Sequence, residues 1–213
     1  MTPSRPTLAL FGATGRTGRR VLDLALAQGY PVRALVRNPA KLSQQPGVTI
    51  LTGNVLEPDD VDRTIAGSDA VISCLGNAGL KEPGVALSQG TRHIVAAMQK
   101  HGVRRVLNVA GGGVLLSPDG TMLRSEMPTF PEIFRLTSAQ HRLAWEALRD
   151  SDLDWTTVAT PDIPDAPATG TARVLRDYMP PGARTVSTGD IAEFLIRELT
   201  ECYFVRTRVG MAY

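Results

Sequence analysis

The segment Gly12-Ala13-Thr14-Gly15-Arg16-Thr17-Gly18 follows directly on the apolar run Thr7 to Phe11 and leads into a helical pattern. Glycines at this spacing let the backbone approach a pyrophosphate, and the helix that follows presents unpaired N–H groups and the positive end of its dipole. Gly18 lets the helix lie close to the strand. With 20 glycines in 213 residues the spacing alone would arise by chance in about one such sequence in six, so the flanking strand and helix carry the weight. The chemistry indicated is dinucleotide binding, with Gly12, Thr14, Gly15, Arg16, Thr17 and Gly18 forming the cradle.

A second position bears on which dinucleotide. Where an NAD-preferring site ends its second strand in a carboxylate for the ribose hydroxyls, this chain reads Val36-Arg37-Asn38. Arg37 is therefore the expected clamp for a 2′-phosphate, with Lys41 and Arg16 assisting, and the expected cofactor is NADP, used as NADPH. The competing reading of Arg37 is an arginine that closes a strand on a solvated surface.

The elements that must position these residues alternate along the whole chain. Strands are expected at Thr7 to Phe11, Val32 to Val36, Val48 to Thr52, Ala70 to Ser73, Arg105 to Val109 and Trp155 to Ala159. Helices are expected near Thr17 to Gln28, Pro58 to Ile65, Val85 to Lys100, Glu132 to Arg149 and Asp190 to Leu199. This predicts an α/β fold: residues 1–213 as a single Rossmann-like domain, a doubly wound parallel sheet with helices on both faces. Leu87, Ile94, Val95 and Met98 share one face of the third helix, and Gly102 is placed to cap it. The tail, Tyr203 to Tyr213, is read as a last edge strand. Residues 115–131, with three prolines, two methionines and Phe130, are long for a connection. They form either a flap over a site or an ordinary surface excursion.

Composition excludes other classes. The 23 basic and 21 acidic residues leave a net charge of +2, so no nucleic-acid or membrane partner is expected despite a pI near 8.7. Cys74 and Cys202 fit neither a disulfide framework nor a metal spacing, and no metal is expected. The longest apolar stretch, Val106 to Leu116, has 11 residues and is broken by Asn108 and three glycines, too short to span a bilayer. Met1 to Pro6 lacks the apolar core of a signal peptide. A cytoplasmic protein, monomeric or weakly dimeric, is the expectation.

Five segments in order, Leu10-Phe11-Gly12-Ala13-Thr14-Gly15-Arg16-Thr17-Gly18, Leu35-Val36-Arg37, Gly53-Asn54-Val55, Ile94-Val95-Ala96-Ala97-Met98 with His101-Gly102-Val103, and Leu148-Arg149-Asp150-Ser151, give the chain its likeness. It resembles the atypical, NAD(P)H-binding, NmrA-like branch of the short-chain dehydrogenase/reductase superfamily. Within that branch it is similar to the biliverdin IXβ reductase, or NADPH-dependent flavin reductase, group over nearly its whole length. The likeness implies that Asn54 stands where the family has an aspartate beside the adenine, and that Val55, Leu75 and Gly76 join the cofactor face. His141 matches a histidine beside the acceptor pocket, as a substrate contact rather than an acid. Thr160-Pro161-Asp162-Ile163 corresponds to a loop near the nicotinamide, with Asp162 replacing a histidine, and Pro161 and Asp162 join the substrate pocket.

Ordinary members of the superfamily reduce carbonyls with a Tyr-x-x-x-Lys pair and a serine. None of Tyr30, Tyr178, Tyr203 and Tyr213 has a lysine four residues on. The fifth strand ends in Ala110-Gly111-Gly112-Gly113, where the similar reductase carries a hydroxyl. Such a site lacks an acid for an alkoxide but suits an acceptor that takes hydride onto a conjugated ring and a proton from water. FMN, FAD or riboflavin are the expected partners, with bilins and quinones behind them. Gly111, Gly112 and Gly113 either leave open space for a flat ring or relieve strain at a tight strand exit. His93 and His101 are read as structural, and Cys74 as a small buried apolar residue. The alternative function is a non-catalytic NAD(P)-binding redox sensor of the NmrA-like type; a nucleotide-sugar epimerase ranks below both because it needs the absent tyrosine.

Overall fold

The structure, a computed structural model, describes residues 5–76 and 79–213; of the N-terminal stretch read above, residues 1–4 lie outside it. Among the described residues eight strands form one sheet: β1 (Leu8–Phe11), β2 (Val32–Val36), β3 (Val48–Thr52), β4 (Ala70–Ser73), β5 (Arg105–Gly111), β6 (Asp154–Thr160), β7 (Arg173–Arg176) and β8 (Thr207–Ala212). The helices between them are α1 (Arg16–Ala27), α2 (Pro58–Ile65), α3 (Ala86–His101), α4 (Arg135–Arg149) and α5 (Thr188–Glu201). The order across the sheet is β3-β2-β1-β4-β5-β6-β8-β7, parallel throughout except for β7.

The alternation of β1 shows how one strand serves two layers. Leu8 and Leu10 pack with Val21 and Leu22 of α1 and Ile191 and Leu195 of α5, whereas Ala9 and Phe11 pack with Ile65 of α2, Met98 of α3 and Leu148 of α4. Side chains of successive strand residues point to opposite faces, so a strand covered on both sides must be apolar throughout, and all four residues of β1 are buried. Gly102 ends α3 with φ +69°, the left-handed cap expected of it.

Three expectations need correction. The tail is not an edge: β8 lies between β6 and β7, and the edge strand is β7, which the sequence reading missed. β7 is four residues long, Arg-Val-Leu-Arg, mostly exposed, and too short for its period to stand out. Its arginines suit an edge, because charge discourages pairing with another sheet. The fourth helix starts at Arg135 rather than Glu132, since residues 132–134 form a tighter 3₁₀ turn. Finally, β5 and β6 pair as far as Gly111 and Thr160, longer than predicted.

The loop after β6 is tied to the start of α5. Buried Asp190 accepts hydrogen bonds from Ser187 Oγ (2.6 Å), from the backbone N–H groups of Thr169 (3.0 Å) and Gly170 (2.8 Å), and from the Tyr213 hydroxyl. Burial pushes its pKa up, but these donors outweigh it and hold the carboxyl at about 2. A folded-state pKa below the unfolded value means stability that is present above about pH 4 and lost as pH falls toward 2, worth about 2 kcal/mol. In Asp190→Asn that acid-dependent part should vanish, with a loss of about 2 kcal/mol at pH 7 by denaturant melts. An unchanged slope of stability against pH from 4 to 2 would assign it to other groups.

Candidate functional site

The chain winds outward from β1 to β3 and then returns to β4 on the other side of β1. That reversal opens a crevice beyond the carboxyl ends of the strands, where doubly wound sheets place ligands. The glycine turn sits there. Gly12 has φ +83°, and a Cβ on it would lie 2.4 Å from the Cys74 carbonyl oxygen. A Cβ on Gly18 would lie 2.1 Å from the Gly12 carbonyl oxygen, so α1 can start against the turn only without a side chain at that position. Gly15 is the N-cap of α1 and gives no side-chain cap, and the first turn carries no acidic residue. Backbone donors and the dipole end therefore face the cleft unopposed, a fit for a pyrophosphate.

Arg37 is exposed at the end of β2 and engages no other described residue. Asn54, after β3, already uses its side-chain oxygen to accept from Leu56 N (3.1 Å), leaving its second lone pair for any further donor. The Asn54 N–H donates to Asp60 Oδ2 (2.8 Å), and Gly53 makes room for that carboxylate. Val55 turns its side chain onto Gly90 of α3, and its carbonyl is 3.0 Å from His93 Nδ1. His93 thus ties α3 to this loop, and His101 pairs with Asp62 at 2.9 Å. Both are structural, as expected.

A cleft of about 880 Å³ runs from Gly15, Arg16 and Thr17, past Leu75 and Gly76, to Gly111, Gly112, Gly113, His141, Pro161 and Asp162. It thus joins most of the predicted cofactor and substrate residues. Gly12, Thr14, Gly18, Arg37, Asn54 and Val55 stand outside its lining.

The three floor glycines do not leave open space. A Cβ at Gly111 would meet the His141 ring at 3.3 Å, one at Gly112 the Met179 Cε at 2.6 Å, and one at Gly113 the Ser138 Oγ at 2.6 Å. Each glycine admits a side chain from elsewhere. The hydroxyl that β5 lacks is therefore supplied next to Gly113 by Ser138 of α4, one helical turn before His141. Sequence reading missed it, although the three-residue spacing places both on one face of the helix. Phe130, Phe134, Met179 and Arg124 also line the cleft and were not assigned beforehand. Among the described residues no tyrosine or lysine does so.

The floor is braced by β8, on the sheet face that α4 covers. Arg208 of β8 donates to the Val114 carbonyl (2.7 Å) and to Asp177 Oδ1 (2.9 Å), with its guanidinium 4.3 Å from the Trp145 ring centroid. Burial lowers the His141 pKa to about 4, so the ring is neutral at pH 7. Burial likewise pushes the Cys74 thiol up to about 12, which leaves it an apolar wall rather than a nucleophile. Among the described residues no group of three or more His, Cys, Asp or Glu could hold a metal, and no helix is long and apolar enough to cross a membrane.

Comparison with known proteins agrees with this geometry. The NAD(P)H-binding family matches residues 12–201. YwnB of Bacillus subtilis (strain 168) is 27% identical over 198 residues, covering 91% of each chain. Among solved structures, SP1627 of Streptococcus pneumoniae TIGR4, a candidate NADH-flavin reductase, superposes with TM-score 0.80 at 24% identity, over 97% of this chain and 99% of that one. ChuY, an anaerobilin reductase from Escherichia coli O157:H7, superposes with TM-score 0.77 at 23% identity, over 97% and 96%. Two longer curated relatives match only locally, over 20% and 32% of their lengths. With a doubly wound sheet, an uncapped glycine turn at its switch point and a family match over most of the length, the chain belongs to the NAD(P)H-binding family.

Proposed function

We propose that the protein is an NADPH-dependent reductase of flat conjugated acceptors, with FMN, FAD or riboflavin as the class and bilins or quinones as chemical relatives. The observation that carries this reading is the single cleft joining the glycine turn to a pocket walled by Phe130, Phe134 and Met179. The flavin and bilin reductases among the structural neighbours support the same class.

When bound, NADPH supplies a hydride, and the acceptor takes one further proton from water. The chain's own residues bind and orient. The glycine turn holds the pyrophosphate and Arg37 the 2′-phosphate, while aromatic and thioether side chains offer apolar surface to a ring. Ser138 presents a hydroxyl that can donate a hydrogen bond to a ring heteroatom. Without a tyrosine and lysine to lower its pKa, that hydroxyl is a poor acid for an alkoxide. Steady NADPH oxidation on adding riboflavin, with none on adding a small aliphatic ketone, is the expected result. Efficient ketone reduction would overturn the reading, and no turnover with any flat acceptor would favour a redox sensor.

Because His141 is already neutral, riboflavin reduction limited by hydride transfer should show no fall between pH 6 and 7. His141→Ala should raise the acceptor KM more than it lowers kcat. A kcat loss of about 100-fold, with a titration near neutral pH that disappears in the variant, would make His141 the proton donor instead.

A further inference from the structure

Arg124 stands on a short turn, Arg124–Glu126, whose backbone is fixed on several sides. Its N–H donates to the Leu115 carbonyl (2.8 Å), and Glu126 receives the Leu123 N–H (2.9 Å). Two other arginines lie close in the chain, and both are neutralised: Arg135 by Glu132 at 2.6 Å, Arg142 by Glu126 at 2.6 Å and Glu146 at 2.8 Å. Arg124 differs. It is half-buried and lines the cleft with Phe130 and Phe134, and its guanidinium forms no hydrogen bond or ion pair with a described residue. The other charged residues in the lining are Arg16, at the start of α1, and exposed Asp162.

A flat ring entering the cleft removes water from this guanidinium. Desolvating a cation without a counter-charge is costly, whereas a phosphate or carboxylate can be met by two parallel N–H bonds. We propose that Arg124 is the anion receptor of the acceptor site, so that the acceptor is a conjugated ring carrying a phosphate or carboxylate substituent. The proposal rests on the reductase reading above and narrows it from flat rings in general to anionic ones.

FMN and riboflavin share a ring and differ in one phosphate, which makes them the probes. With saturating NADPH, the wild-type KM for FMN should be about tenfold or more below that for riboflavin. Arg124→Gln should raise the FMN KM about tenfold and leave the riboflavin KM within about twofold, with Arg124→Lys intermediate. Equal wild-type KM values, or an equal rise for both flavins in Arg124→Gln, would overturn the anion receptor while leaving the reductase intact. The wild-type comparison decides even if a variant folds poorly. Failure of NADPH-loaded protein to reduce either flavin, together with failure of NADP-loaded protein to bind either, would overturn both readings.

Discussion

Gly18→Ala should lower NADPH affinity by about 100-fold or more in a protein that still shows the wild-type far-ultraviolet circular dichroism. The added Cβ would lie 2.1 Å from the Gly12 carbonyl oxygen and 2.7 Å from its carbon, both backbone atoms that no rotamer change can move. The start of α1 must shift away from the turn. Overpacking of this kind costs about 1 to 3 kcal/mol, which a sheet of eight strands can absorb. The pyrophosphate site cannot. Losing two charge-assisted N–H contacts at about 1.5 kcal/mol each removes about 3 kcal/mol, on the order of 100-fold in affinity. Fluorescence titration with NADPH checks it. A folded variant binding like wild type would remove this turn from the cofactor site.

Arg37→Ala should separate the two nicotinamide cofactors. Its guanidinium is exposed and uncommitted, and no acid accompanies it at the end of β2. Losing a charge-assisted contact to the 2′-phosphate should cost about 1.5 to 3 kcal/mol, roughly 10- to 150-fold in NADPH affinity, with NADH affinity nearly unchanged. Equal loss for both cofactors would return Arg37 to the role of a surface arginine. Raising the salt concentration should weaken NADPH binding by wild type and much less by the variant.

The strand, glycine turn and helix of the candidate cofactor half were legible as structure because their signals are local. A glycine that a turn requires, a strand before it and a helix after it all lie within about twenty residues, and β2, β3, β4 and α2 begin and end where their patterns predict. The acceptor half was not legible to the same degree. Of the two readings of Gly111 to Gly113, open space or relief of strain, neither names the side chains that fill the gap, because sequence shows what a glycine lacks and not which distant residue packs there. His141, Met179 and Ser138 come from α4 and the β7–α5 connection, and only tertiary packing brings them to β5. The same holds for β7, whose pairing with β8 rather than any intrinsic preference makes it a strand.

The brace from Arg208 to the Val114 carbonyl has a temporal side. During synthesis the strands β1 to β4 and the glycine turn emerge early and close together in the chain, so the crevice for the dinucleotide has its walls before the second half of the chain is made. The acceptor floor must wait across 94 residues for β8 to insert beside β6 and deliver Arg208. Chains elongate at about 5 to 20 residues per second, so several seconds separate the two events on the ribosome. For that interval a nascent chain holds the glycine turn beside a pocket whose Val114 carbonyl still lacks the Arg208 guanidinium.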